Sequence, residues 1–228
     1  MTVNLAPMID HTVLKSNTTE EQIRSLCAEA KEFGFASVCV NPCYVPIAAD
    51  LLKDSSVKVC TVIGFPLGAN TTATKIFEAK DAIQMGADEL DYVVNVSDVF
   101  NNRFDLVQKE MGEFVQLRSA VSKTVIIKII LETCYLTNEQ IVRLCQLARE
   151  TGLDFVKTST GFGTAGATTT HVQLMRQTVG PKVGVKASGG IRNYQDAIAM
   201  VEAGANRIGA SSGIAIVSKR SLGEHTGY

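Results

Sequence analysis

Short, nearly unbroken apolar runs alternate along this chain with longer stretches in which apolar residues return every three or four positions. The runs fall at Ala36–Val40, Val57–Ile63, Glu89–Val94, Thr124–Leu131, Asp154–Lys157, Val183–Lys186 and Asn206–Gly209, and they are rich in Val and Ile. Parallel strands covered on both faces read this way, because neither face meets water. Amphipathic helices are predicted between them. The clearest is Glu20–Phe33, with Ile23, Leu26, Cys27 and Ala30 on one stripe. Thr18 and Glu21 have the spacing of a capping box at its start, and Gly34 is placed to stop it. The same order recurs from Thr137 and Gln140 through Ile141, Leu144, Cys145 and Ala148 to Gly152. GFAS, GADELD, GLDFVK and GANRIG each set a glycine just ahead of a strand, as short helix-to-strand connections prefer. The repeated unit is one strand followed by one helix.

Seven strands are evident, and a closed (β/α)8 barrel needs eight, so the missing one is expected at an end of the chain, at Met8–His11. Asp10 and His11 would then reach the catalytic rim. The predicted fold is therefore α/β, a (β/α)8 TIM barrel forming a single domain over residues 1–228, a length suited to one such barrel. An open doubly wound sheet is the alternative.

Composition narrows the function. The chain is 46% hydrophobic with a formal net charge of −1, which argues against disorder and against a polyanion-binding surface. Neither nucleic acid nor membrane is an expected partner: the longest apolar run, VIIKIIL, is broken by Lys128, and the N-terminus lacks a signal-peptide pattern. A cytoplasmic location follows as the expectation. The six cysteines show no CxxC, and no histidine stands at zinc-ligand spacing, so they read as reduced core thiols with no metal.

Two of the predicted strands end in lysine, Lys157 in LDFVKTSTGF and Lys186 in KVGVKASGGI. An ammonium at the end of a buried strand is costly to desolvate, and the site can answer by letting an amine go neutral. An ordinary lysine must give up about 4.6 kcal/mol to be neutral at pH 7, and a second ammonium nearby lowers that cost. Ion-pair networks use buried lysines too, so either residue alone stays ambiguous. The pair points to amine chemistry. Strand alternation adds Asp91 to the lumen with Val93 and Asn95, and likewise Lys128 with Ile126, Ile130 and Glu132. For Lys128 a supporting ion-pair role is expected.

If Met8–His11 is the first strand, VGVKASGGI and NRIGASSG supply the loops after the seventh and eighth, where barrels commonly grip phosphate. Gly189, Gly190, Gly209, Ser211 and Ser212 suit that task; ordinary turn glycines are the plainer account of any one of them. GFGTAG at 161–166 matches GxGxxG literally, but three polar residues separate it from Lys157 and no acidic residue follows until Asp196, which weakens a dinucleotide reading. The scattered His11, His171 and His225 weaken a metal-dependent one.

IDHTVLK, VCVNPCYV, VIGFPLG, GADELDYVVN, VIIKIILET, DFVKTSTGF, GVKASGGIR and RIGASSG occur in this order nearly end to end. In them the chain resembles the deoxyribose-phosphate aldolases, a family of Schiff-base aldolases with a (β/α)8 barrel. The resemblance implies Lys157 as the Schiff-base nucleophile, Lys186 as its perturbing partner in proton transfer and Asp91 in the proton relay. It implies Gly189, Gly190, Arg192, Ser211 and Ser212 as phosphate-holding residues. Some members carry a lysine after TSTG where this chain has Phe162, which puts a phosphate contact from that position in doubt. Some also use a C-terminal tyrosine as a proton shuttle, which would fall on Tyr228. The implied substrate is a sugar phosphate, 2-deoxy-D-ribose 5-phosphate, handled without a cofactor. A homodimer is the working expectation for assembly. Another Schiff-base aldolase acting on a different sugar phosphate, or a barrel that binds such a ligand without turning it over, are the rivals.

Overall fold

The computed structural model describes residues 3–218. Eight parallel strands pair in sequence order and close into a barrel: β1 (Ile9–Val13), β2 (Ser37–Val40), β3 (Lys58–Ile63), β4 (Glu89–Val93), β5 (Ile126–Ile130), β6 (Phe155–Lys157), β7 (Gly184–Ser188) and β8 (Arg207–Ala210). The last strand pairs with the first, Asp10 opposite Gly209. The missing strand thus lies at the N-terminus, one residue beyond the predicted start and two beyond the predicted end. The helices α1 (Glu20–Phe33), α2 (Val45–Leu52), α3 (Thr72–Gln84), α4 (Val96–Phe100), α5 (Phe104–Ala120), α6 (Asn138–Thr151), α7 (Thr169–Val179), α8 (Tyr194–Glu202) and α9 (Gly213–Val217) occupy the connections and the end of the described chain.

Strand pleating sorts the side chains into two cores. Leu90 and Tyr92 of β4, with Val94 just after it, and Ile127 and Ile129 of β5, with Leu131 beyond, are buried in the apolar layer beneath the helices. There Tyr92 stacks on Phe114 of α5 with ring centroids 3.8 Å apart. The residues between them turn into the lumen, which is why a chain this apolar can hold Asp91 and Lys128 in its interior.

Local signals hold with one shift. Thr137 and Gln140 form the capping box of α6, and Gly152 ends that helix in the left-handed conformation at φ 84°. At α1 the box is Thr19 with Gln22, one residue after the predicted Thr18 and Glu21. The Thr18 hydroxyl instead donates backward to the Lys15 carbonyl at 2.7 Å. GFGTAG opens no helix: after Lys157 the next one starts only at Thr169, so the glycines lack the helix N-terminus that a dinucleotide phosphate would need. No helix among the described residues is long and apolar enough to cross a membrane. Tyr228 lies outside the described residues.

Candidate active site

Lys157 closes β6, and Lys186 is its register partner on β7. Both are buried. Their Nζ atoms reach the same atom, Asp91 Oδ2, at 2.8 Å from Lys157 and 2.7 Å from Lys186. Lys128, directly opposite Asp91 across β4 and β5, takes the other oxygen at 2.8 Å. One carboxylate therefore receives three lysine side chains.

The contacts continue toward the N-terminal end of the barrel. Lys128 lies 2.6 Å from Glu89, and Arg207 bridges Glu89 at 3.0 Å to Asp10 at 2.5 Å. Asp10 returns to Lys186 at 2.5 Å. The six groups Asp10, Lys186, Asp91, Lys128, Glu89 and Arg207 thus close a ring in which acid and base alternate. Three negative and three positive charges cancel. Lys157 is a seventh group, hung on the ring through Asp91 alone.

Electrostatics fix most of the ring in its charged form. Burial by itself would raise the Asp91 carboxyl, but Lys128, Lys157 and Lys186 outweigh it and hold the group well below the usual carboxylate range. Asp10 is lowered in the same way, burial being overcome by Lys186 and Arg207. Burial would likewise strip the proton from Lys186 and Lys128, yet their carboxylate neighbours push both above the ordinary lysine value. Arg207 is raised against burial by Asp10 and Glu89. A buried charge is tolerated only when paired, and here every ring member has two partners.

Sequence reasoning expected Asp10 and His11 together at the rim; alternation separates them. Asp10 turns into the lumen, while His11 faces outward to Glu29 of α1 at 2.6 Å. Cys39 and Cys60 are also not ordinary core thiols. They are register partners on β2 and β3, they point into the lumen, and Cys60 Sγ lies 3.2 Å from Asp91 Oδ1. Cys43, also expected in the core, is exposed in the turn after β2, and all six cysteines are free. Among the described residues, Cys39, Cys60 and Asp91 are the one group with metal-ligand chemistry, their donor atoms lying within 4.8 Å of one another. An ion there would have to compete with three lysine side chains for Asp91.

The expected phosphate residues gather at the C-terminal ends of β7 and β8. Gly189 and Gly190 both take positive φ, 83° and 80°, which a side chain would resist. The loop after Lys157 is laid against them, with Ala167 N–H donating to Ser188 O at 3.0 Å and Gly189 O at 3.1 Å. Ser211 and Ser212 follow β8, and the Ser212 hydroxyl donates to Ile191 O at 3.3 Å, tying the two loops together. Arg192 has an exposed side chain, and its backbone N–H is bound by Asp196 at 3.1 Å. Gly209 lies inside β8. A Cβ there would stand 3.1 Å from Lys186 Cε and 3.0 Å from Ser188 Cβ, so the missing side chain makes room for the lysine.

Strand alternation puts Glu132 in the interior and gives it no role. It is buried and left-handed at φ 57°, and it turns back to accept from the backbone N–H of Thr160 at 3.2 Å and from its hydroxyl. It thereby fastens the loop that follows Lys157. Phe162, where some aldolases of the resembled family have lysine, rests edge-on against Phe65 at 5.3 Å. Arg207, Glu89 and the two lumen cysteines went unread as site residues, although strand alternation from Asp91 would have placed Glu89 beside it.

Comparison with known proteins agrees with the barrel fold. Residues 5–219 match the family described as DeoC/LacD family aldolase. A deoxyribose-phosphate aldolase of Caldanaerobacter subterraneus is 56% identical over 224 residues, covering 97% of this chain and 96% of that protein. One from Streptococcus suis is 58% identical over 216 residues, covering 95% and 96%. Among solved structures, the tetrameric deoxyribose phosphate aldolase from Aeropyrum pernix superimposes with a TM-score of 0.87 at 37% identity, covering 94% of this chain and 89% of that one. With this barrel, and with a match that spans nearly its whole length, the chain belongs to the DeoC/LacD family of aldolases.

Proposed function

We propose that the chain is a deoxyribose-phosphate aldolase, cleaving 2-deoxy-D-ribose 5-phosphate reversibly to D-glyceraldehyde 3-phosphate and acetaldehyde through a Schiff base on Lys157. One observation carries the reading: Lys157 is bonded to a ring of charges that is already balanced without it. An amine that the local charge count does not require as a cation can lose its proton and act as a nucleophile.

Neutral Lys157 adds to the C1 aldehyde of the open-chain sugar, and loss of water gives the imine. Protonated, the imine carries the positive charge that the free amine lacked, now beside Asp91. That carboxylate, held anionic, stabilises the iminium and the transition state leading to it. The C3 hydroxyl gives up its proton, the C2–C3 electron pair flows into the iminium, and D-glyceraldehyde 3-phosphate leaves. The remaining enamine takes a proton at C2, returns to an imine, and water releases acetaldehyde. Lys186 and Asp91, through a water, carry these protons. The imine is the electron sink, so the route calls for no cofactor.

The 5-phosphate is assigned to the loops after β7 and β8, where the N–H groups around Gly189 and Gly190, the Ser211 and Ser212 hydroxyls and the Arg192 guanidinium would be its donors. The working compartment is the cytoplasm, in keeping with six free cysteines. The test is a coupled assay for acetaldehyde release from the deoxy sugar phosphate with chelator present. Acetaldehyde appearing at enzymatic rates supports the reading, and release from a different sugar phosphate alone would replace it.

A further inference from the structure

We propose that Arg207 and Glu89, at the N-terminal end of the barrel and away from the mouth, are positioning residues for the reaction: they complete the charge ring that leaves Lys157 free to be neutral. This rests on Lys157 being the Schiff-base lysine. Arg207 is the first residue of β8 and Glu89 the first of β4, whereas Lys157 is the last of β6. In a parallel barrel those are opposite ends of the lumen. Neither residue contacts Lys157; they act on it through Asp10, Lys186, Lys128 and Asp91.

The groups that face Lys157 among the described residues are few. Asp91 from β4 and Lys186 from β7 share one oxygen, and Lys128 from β5 holds the other. Cys39 from β2 feels the Lys157 charge, and Cys60 from β3 leans on Asp91. Glu132, at the end of β5, is engaged by Thr160 and not by an amine. With the ring neutral as it stands, deleting one charge at the far end leaves it with an excess of the opposite sign. Lys157 is the amine left to answer that excess.

The sign follows from the count. Arg207→Met leaves the ring one negative charge in excess, which favours the ammonium form of Lys157. Glu89→Gln leaves one positive charge in excess, which favours the amine. Each change acts over a long path at a moderate effective dielectric constant and is worth about one pH unit.

The experiment is the pH dependence of kcat/KM for cleavage, with borohydride trapping of substrate on Lys157 in parallel, for the intact enzyme, Arg207→Met, Arg207→Lys, Glu89→Gln and the double variant Glu89→Gln/Arg207→Met. The acid limb is expected about one pH unit higher in Arg207→Met, about one unit lower in Glu89→Gln, and back near the original position in the double variant and in Arg207→Lys. A purely structural role would lower rates without moving the limb. Where Arg207→Met does not fold, as circular dichroism will show, Glu89→Gln decides alone. Limbs that coincide across the folded variants while trapping at Lys157 persists overturn this inference and leave the Schiff base standing. Absence of trapping in the intact enzyme overturns the Schiff-base reading itself.

Discussion

Lys157 and Lys186 donate to one and the same oxygen, Asp91 Oδ2, from adjacent strands. Two ammonium groups on one acceptor repel each other, and Lys186 is also bound by Asp10, which holds its proton in place. The strain falls on Lys157, whose single ionic partner is shared.

Removing Lys186 should therefore do more than delete a proton carrier. In Lys186→Met the ring lacks one positive charge and Lys157 is drawn in as the replacement cation. Turnover at pH 7 is expected to fall by about 10²–10³-fold, with partial recovery above pH 9, whereas Lys186→Arg keeps the charge and retains more activity. A pH–rate series checks this. An equal loss at every pH would show that proton transfer alone was removed.

Asp91→Asn leaves the Lys128 and Lys186 ammonium groups around a neutral amide. Breaking a buried network from one side costs about 3–5 kcal/mol, so urea unfolding should show a loss of that order together with loss of turnover. Wild-type stability in this variant would mean that the lysines are not charged as the ring requires.

The ring also predicts how stability follows pH. Asp10 and Asp91 are lowered in the folded state, so their contribution is complete above the unfolded carboxylate value, from about pH 5 upward, and is lost as acid brings the pH down toward their folded values. Lys128 and Lys186 are raised, so theirs is complete below the unfolded lysine value near pH 10 and is lost only as pH climbs toward the folded values. Unfolding free energy measured in urea should be level between about pH 5 and 9 with respect to these groups, and should fall steeply on the acid side.

Gly209→Val tests the space left for Lys186. The new side chain would have to displace Lys186 Cε or Ser188, which a Cβ alone would already meet at 3.1 and 3.0 Å. Overpacking of this kind costs about 1–3 kcal/mol, and the displaced ammonium should lower kcat by about tenfold or more while the barrel persists. A thermal melt alongside kcat separates the two effects.

Much of this architecture can be read from the chain, because its signals are local. A strand buried on both faces needs a continuous apolar run, and a lysine ending such a run has no cheap structural use, which is why Lys157 and Lys186 stand out in the sequence. Asp91 follows from alternation within ELDYVVN. The ring does not follow, because its pairings are remote: Arg207 and Asp10 are 197 residues apart, and no spacing rule connects them. Barrel closure alone brings β8 beside β1. The capping box at α1 is misplaced by one residue for the opposite reason: Thr18 and Thr19 are neighbours with the same chemistry, and spacing alone does not choose between them.

The most direct measurement is borohydride reduction of the enzyme with 2-deoxy-D-ribose 5-phosphate, followed by peptide mass mapping. The account predicts added mass on the peptide carrying Lys157, and none in a folded Lys157→Leu variant that no longer turns over substrate. Mass on the Lys186 peptide, or turnover surviving in Lys157→Leu, would contradict it.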